Sequence, residues 1–431
     1  MKTIEGWQTK PFGAVIKDIG DGGTPNTNKK EYFGGTIPWV VIQDICKEIS
    51  SSKTTLTPLG LDSCSAKLWP AGSVILSTGA TIGEVGLAKV PVSTKQGIHG
   101  IVCSDQLSSS FLYYKLQTLR DFLKANSQGS TIREVRATFL RTIPISFPTA
   151  LPEQIKIAEI LSTVDRAIEQ TEALIVKQQR IKTGLMQDLL TRGIDEHGNL
   201  RSEQTHEFKD SPLGRIPVEW EVKRLGKLLA NINQGWSPDC NSEPASIGEW
   251  GVLKTTSVEW QGYFDYENKA LPERLKPRSS LEILYGDLLM TRAGPNSRVG
   301  VVAYVYHTRD KLMLSDKIYR LIPAENMDGR FLCYALSGFE TQKHLSNYKT
   351  GMAESQTNIS QEIVINLLVV VPNKREQAKI ADRLDQMSSF TKRSVETLEK
   401  LRSLKTAFMQ DLFTGKKRVT ALLTDKEKIT S

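Results

Sequence analysis

Counted from Ile157 in alternating steps of four and three, apolar residues hold one seam: Ile157, Leu161, Val164, Ile168, Ile175, Leu185 and Leu189. The same rhythm returns at Ile380, Leu384, Met387, Leu398, Leu401, Phe408 and Leu412. Polar residues fill the intervals. Such a pattern predicts two long helices, each with one sticky edge. Asn373 followed by Glu376 reads as a capping box opening the second, and Gly193 and Gly415 stand where each should stop. A helix of about 40 residues is ~60 Å long. Alone it leaves its seam in water, so two matching seams are expected to pair. Elsewhere the period shortens. β-rich runs such as "IPWVVIQDI", "GSVILST", "DLLMT" and "VGVVAYVYH" lie between Gly, Pro, Ser and Asn clusters. One helical stretch follows each set, "SSFLYYKLQTLRDFLKANS" and "DGRFLCYALSGFETQKHL", and a short apolar run then leads into each long helix.

The two helical segments are copies. "KTGLMQDLLT" from Lys182 lies on "KTAFMQDLFT" from Lys405, and at the same offset "EQIKIAEIL" from Glu153 lies on "EQAKIADRL" from Glu376. The segments before them also repeat, more faintly. "GWQTKPFG" aligns with "EWEVKRLG", matching Trp7 to Trp220 and Gly13 to Gly226, and "GGTP" lies on "GWSP", matching Pro25 to Pro238. "AGSVILSTGATIGEVG" from Ala71 lies on "YGDLLMTRAGPNSRVG" from Tyr285. Such self-similarity predicts an α+β chain built as globule, helix, globule, helix. The expected boundaries are 1–150 for the first mixed α/β globule, 151–193 for its helix and 194–217 for a polar, turn-rich linker. The second globule then takes 218–372, its helix 373–415, and a basic, polar tail 416–431.

Composition narrows the class. The 431 residues are 39% hydrophobic and 24% charged, as in soluble globular proteins. No apolar run is long enough for a membrane span, and the N-terminus has no signal-peptide core, so a cytoplasmic location without membrane contact is expected. Five cysteines without a CxxC pair argue against a zinc site or disulfide framework. The net charge of +8 is carried by the first 150 residues and by residues beyond 370. A basic balance suits a polyanion without requiring one.

The paired "EQ-KIA" and "KT--MQDL-T" repeats, the "IPVEWEVKRLG" opening of the second globule and the "STGATIGEVG" loop resemble the specificity subunits of type I restriction–modification systems. The resemblance runs from residue 1 to about 418 and rests most on the globule–helix–globule–helix order. It implies that each globule is a target recognition domain reading half of a split double-stranded DNA site. It implies that the helices pack antiparallel as a coiled-coil-like spacer with an internal pseudo-twofold. It also implies docking of two methyltransferase subunits, with restriction/translocase subunits joining through the complex. The divergence of the globules predicts an asymmetric target.

Candidate DNA contacts lie in three segments of each globule. The Gly-rich loops 77–86 and 291–300 can approach a backbone closely for want of side-chain bulk. They supply Thr78, Thr81, Arg292, Asn296 and Arg298; the alternative is an unliganded β-turn. "STKQGIHG" and "LSDKIYR" supply Lys95, Gln96 and Lys317. "SQGSTIREVR" and "TGMAESQTNIS" supply Ser130, Thr131, Arg133, Gln356 and Asn358, or are solvated connections. Arg can fork onto guanine and Asn onto adenine. Trp39 and Trp250 are expected in the core rather than stacked on bases. On the helices, Met186, Gln187 and Asp188, matched by Met409, Gln410 and Asp411, are candidates for partner docking, with intramolecular packing as the alternative for the Met/Leu face. "GKKR" (415–418) reads as a phosphate contact or a solvated tail.

Catalytic signatures are missing. There is no Asp/Asn/Ser-Pro-Pro-aromatic methyltransferase motif, no Walker-type lysine loop, no clear nuclease cluster and no metal or triad spacing among the five histidines. No cofactor is expected. The leading reading is a non-catalytic DNA-recognition subunit. An enzyme with unrecognised chemistry, methyltransferase or endonuclease, is the second, and a coiled-coil assembly scaffold the third.

Overall fold

The computed structural model describes residues 4–129, 133–240, 242–349 and 357–423. The chain forms two compact units, and each takes part of both long helices: residues 1–173 with 395–431, and residues 174–394. The helices run Leu151–Thr191 and Lys374–Phe413. No seam residue in either helix is exposed. Among the described residues, no helix is long and apolar enough to cross a membrane.

The first unit is built on a five-stranded sheet. Its order is Ile16–Gly20, Ile98–Cys103, Val74–Ser77, Val85–Ala88 and Glu48–Ile49. The second unit has a four-stranded sheet in the same order: Leu229–Gln234, Ile318–Pro323, Leu288–Thr291 and Val302–Tyr304. Registers agree, with Val74 opposite Ile101 in one and Leu288 opposite Leu321 in the other. A smaller three-stranded sheet also recurs, one pair parallel and one antiparallel in each unit. The duplication therefore covers the globules as well as the helices. Trp39 is buried and donates Nε1–H to Gly23 O at 3.0 Å, as a core residue does. Each helical stretch expected as one piece is two. Ser109–Thr118 is followed by Arg120–Ala125, and Gly329–Ser337 by Phe339–Ser346. In the second unit the break falls at Gly338, whose extended ψ of 145° takes it out of the helical region.

The repeated "EQ" pairs have a packing explanation. Gln154 donates from Nε2 to Pro148 O and Gln106 O at 2.8 and 2.9 Å, and its Oε1 accepts the Ser108 N–H at 2.8 Å. Gln377 does the same with Pro372 O and the Asp328 N–H, both at 2.9 Å. Ser108 and Asp328 are the N-caps of the equivalent short helices, so each glutamine fastens a globule to the start of its long helix. Glu153 accepts Arg418 Nε and Nη2 at 2.7 and 2.8 Å. Arg418 is thus neither a phosphate contact nor a solvated tail residue. Glu376 accepts Arg201 Nη1 and Nη2 at 2.5 and 3.2 Å, together with the Ile194 N–H and the Trp220 indole N–H. The expected capping box is therefore only half formed. Asn373 Oδ1 accepts the Glu376 N–H, but the Glu376 carboxylate turns away to the buried arginine, a stronger partner than its own N-cap. The linker is likewise anchored: Ile194, Arg201, Leu213 and Ile216 are buried, and Phe208–Lys209 pairs with Ile216–Pro217.

The shared lysine of the "KT" repeat also has a role. Asp165 on the first helix accepts Tyr114 Oη at 2.5 Å and Lys47 Nζ at 3.2 Å, and pairs with Lys405 Nζ on the second helix at 2.8 Å. Glu172 pairs with Arg402 at 2.6 Å, one step further on, so in this unit the helices run antiparallel. Burial raises the Asp165 carboxyl, but the Lys405 and Tyr114 hydrogen bonds and the ammonium charges outweigh it and hold it below the ordinary aspartate range. That stabilisation is fully present above the unfolded value of about 4 and is lost as pH falls through the folded one. Lys405→Met should cost about 2 kcal/mol near neutral pH. The cost should shrink below about pH 4. Hydrogen exchange resolved on peptides of this unit at both pH values checks this; a cost that grew in acid would separate Lys405 from the Asp165 charge.

Candidate nucleic-acid interface

In each unit the three candidate segments meet at one end of the main sheet, and backbone hydrogen bonds join them. In the first, Thr78 N–H donates to Gly97 O at 2.9 Å, and Val135 N–H donates to Thr78 O at 2.8 Å. Gly79 bridges Glu134. In the second, Arg292 N–H donates to Lys317 O at 2.8 Å, and Ile359 N–H donates to Arg292 O at 2.9 Å. There Ala293–Gly294 pairs with Thr357–Asn358. A fourth segment completes each cluster. A Cβ on Gly22 would lie 2.2 Å from Thr94 O, and one on Gly235 2.0 Å from Leu314 O, so both positions exclude any side chain. That constraint explains the glycine shared by "GGTP" and "GWSP".

This common frame carries different side chains. Thr78 and Arg292 share one backbone position. Thr78 is fully buried, with Oγ1 2.7 Å from His99 Nδ1, which removes it from the expected surface contacts. Burial lowers the His99 pKa against the pull of Asp21, 3.8 Å away, so the ring favours its neutral form. Asp21 Oδ1 instead accepts the Gly22 and Gly97 N–H groups at 2.9 and 2.8 Å and shapes the turn. At the Arg292 position the guanidinium lies 5.4 Å from the Tyr319 ring centroid, and Nη1 donates to Asp316 O at 3.3 Å. The following turn reads Lys95–Gln96–Gly97 in the first unit and Ser315–Asp316–Lys317 in the second.

Thr81, Lys95, Gln96, Arg133, Asn296, Lys317 and Asn358 are exposed. Lys317 Nζ lies 3.1 Å from Asp316, so its charge is partly offset. Arg298 is half-buried and ion-paired with Glu259 at 2.8 Å, which commits it within the globule. Ser130, Thr131 and Gln356 lie outside the described residues. Sequence reasoning did not find Asp21, His99 or Asp316, which organise these turns. Asp21 and Asp316 are acidic residues in a candidate anion site, and only their hydrogen bonds, Asp21 with the Gly22 and Gly97 N–H groups and Asp316 with the Ser237 hydroxyl, reveal the role.

On the helices, Gln187 and Gln410 are exposed at equivalent positions. Met186 and Met409 are half-buried and pack against the cores of their units, so the intramolecular alternative holds for much of each. Asp188 lies 3.8 Å from Arg192, and Asp411 lies 3.4 Å from Lys416. One further turn back, Ile181 and Leu404 are also equivalent, 47% and 42% exposed. Leu404 lines a shallow groove with Glu396, Glu399, Lys400, Ser403 and Ala407. Among the described residues no group of acidic, histidine or cysteine side chains is arranged to hold a metal.

The profile of one protein family, described as the type I restriction modification DNA specificity domain, matches this chain twice, over residues 4–178 and 217–401. The chain belongs to that family. The two matches correspond to the two globules and the beginnings of their helices. A relative from Escherichia coli, the type I restriction enzyme EcoEI specificity subunit, is 42% identical over 172 residues, covering 39% of this chain and 29% of that protein. The MjaVIII specificity subunit of Methanocaldococcus jannaschii is 26% identical over 434 residues, covering 98% of this chain and 95% of its own. The chain thus spans less than a third of the first relative and nearly all of the second. Among solved structures, the crystal structure of a type I restriction–modification system S subunit from M. genitalium has the same fold, with a TM-score of 0.60 at 16% identity. It covers 96% of this chain and 97% of its own. As a member of this specificity family, the chain carries the duplicated DNA specificity domain that its sequence repeat predicts.

Proposed function

We propose that the chain is the non-catalytic specificity subunit of a type I restriction–modification complex. Each globule reads one half of an asymmetric, split double-stranded DNA target. The equivalent helix surfaces around Gln187 and Gln410 each dock one methyltransferase subunit, and nuclease or translocase subunits join through that assembly. The supporting observation is the pair of matching loop clusters: one backbone frame, presented twice with different donors. Two readers of one design with different side chains suit two different half-sites, as paired half-site readers do in other DNA-binding proteins.

The docking surfaces make a direct test possible. Gln187→Arg together with Gln410→Arg places a long charged side chain on each exposed surface and leaves both buried seams intact. The double variant should lose both methyltransferase equivalents, and each single variant should lose one. Affinity at each altered site is expected to fall by at least tenfold, about 1.4 kcal/mol. Mass measurement of the assembled complex reads the stoichiometry. Two bound equivalents at unchanged affinity in the double variant would overturn this placement of the docking sites.

A further inference from the structure

The second loop cluster contains a pair that the first lacks. Trp236 follows the constrained Gly235, and its N–H donates to Leu314 O at 3.0 Å. Its neighbour Ser237 is hydrogen-bonded to Asp316, whose backbone oxygen accepts Arg292. The backbone at Trp236 and Ser237 is therefore joined to the segment that carries the Asp316–Lys317 turn. Over its face lies Arg278, with its guanidinium carbon 4.1 Å from the ring centroid. Arg278 is exposed, and among the described residues its guanidinium has no hydrogen-bond or ion-pair partner. The other arginines nearby are engaged: Arg298 with Glu259, and Arg292 with Asp316 O. In the first unit the position of Trp236 is taken by Gly23, so no such platform exists there.

A guanidinium lying on an aromatic face keeps its N–H donors along its edge. The stack fixes the plane without using any donor. The result is a preset two-pronged donor, which matches the O6 and N7 acceptors of guanine in the major groove. We propose that Arg278, positioned by Trp236, is a specificity-determining residue that reads a guanine in the half-site taken by the second globule. This rests on the reading of that globule as a DNA reader. Lysine cannot replace it, because an ammonium offers neither the planar stack nor the fork.

The test uses the full chain assembled with its methyltransferase partner, and a duplex library varied through both half-sites. Arg278→Ala should reduce the preference for guanine at one position of one half-site by roughly ten- to a hundredfold. Preferences at other positions and in the other half-site should stay as they are. Arg278→Lys should lose the same preference while keeping most of the overall affinity. Trp236→Ala should weaken that preference and no other. An unchanged first half-site in each variant shows that the complex is intact. Uniform weakening across all sequences, with every base preference kept, would identify Arg278 as a phosphate contact and overturn the proposal, as would no change at all. The underlying reading fails separately, if exchanging residues 218–372 for those of a relative leaves both half-sites unaltered.

Discussion

Glu376→Ala is expected to destabilise the second unit by about 3–5 kcal/mol, several times the effect of Glu153→Ala on the first. The two carboxylates are equivalent by the repeat, and each clasps an arginine beyond the end of the other long helix. Their surroundings differ. Arg201 is only 8% exposed, and removing Glu376 leaves its charge, the Trp220 indole N–H and the Ile194 N–H without their shared acceptor. The Arg418 side chain is 29% exposed and can turn toward water, and Trp7 makes no matching bond to Glu153, so about 1–2 kcal/mol is expected there. A buried pair often contributes little net stability, while half of one is costly. Replacing both Arg201 and Glu376 by methionine should therefore recover much of the loss. A chain with two units need not unfold in one step, so hydrogen exchange resolved on peptides from each unit is the suitable readout. Equal losses in both units would contradict the argument from burial.

Much of this architecture is legible in the sequence because a duplication makes every periodic signal appear twice. The heptad seam gave both helices to within a few residues, since side chains such as Ile157 and Ile380 must face the core wherever the helix goes. The helical break at Gly338 was not legible, because glycine inside a helical pattern is often tolerated and only packing decides. The "EQ" pair was legible as a repeat but not as a device. Its carboxylate and amide act on Arg418, Arg201, Ser108 and Asp328, partners that only the fold brings near. The linker reads as polar and turn-rich because its polar residues outnumber Ile194, Leu213 and Ile216, the few that anchor it.

The candidate interface was legible as a set of segments rather than as residues. Small, donor-rich stretches flank the strands, and the structure does bring them together at one sheet end. Which side chains reach the surface is not decided by backbone position alone. Thr78 and Arg292 hold the same position, yet one is buried against His99 and the other lies over Tyr319. Arg298, in a 3-10 turn, is committed to Glu259 on the strand Val258–Glu259. Arg278 escaped notice because its aromatic platform is 42 residues away along the chain, a separation that no local pattern encodes.

The proposed division of labour between the globules carries the largest functional consequence. Replacing residues 1–150 by the corresponding part of a family member with a different target should exchange one half-site completely and leave the other intact. The loop cluster of the first globule is assembled within that segment, from the turns at 22, 78–79, 95–97 and 134–135. Junctions placed ahead of Leu151 keep Gln154, which holds the globule to its helix, and Glu153, which holds Arg418. The direct measurement is a map of methylated sites in DNA from cells expressing the exchanged chain with the proposed methyltransferase partner. The account predicts a new sequence in one half-site beside the original sequence in the other. Two altered halves, or two unaltered ones, would contradict it.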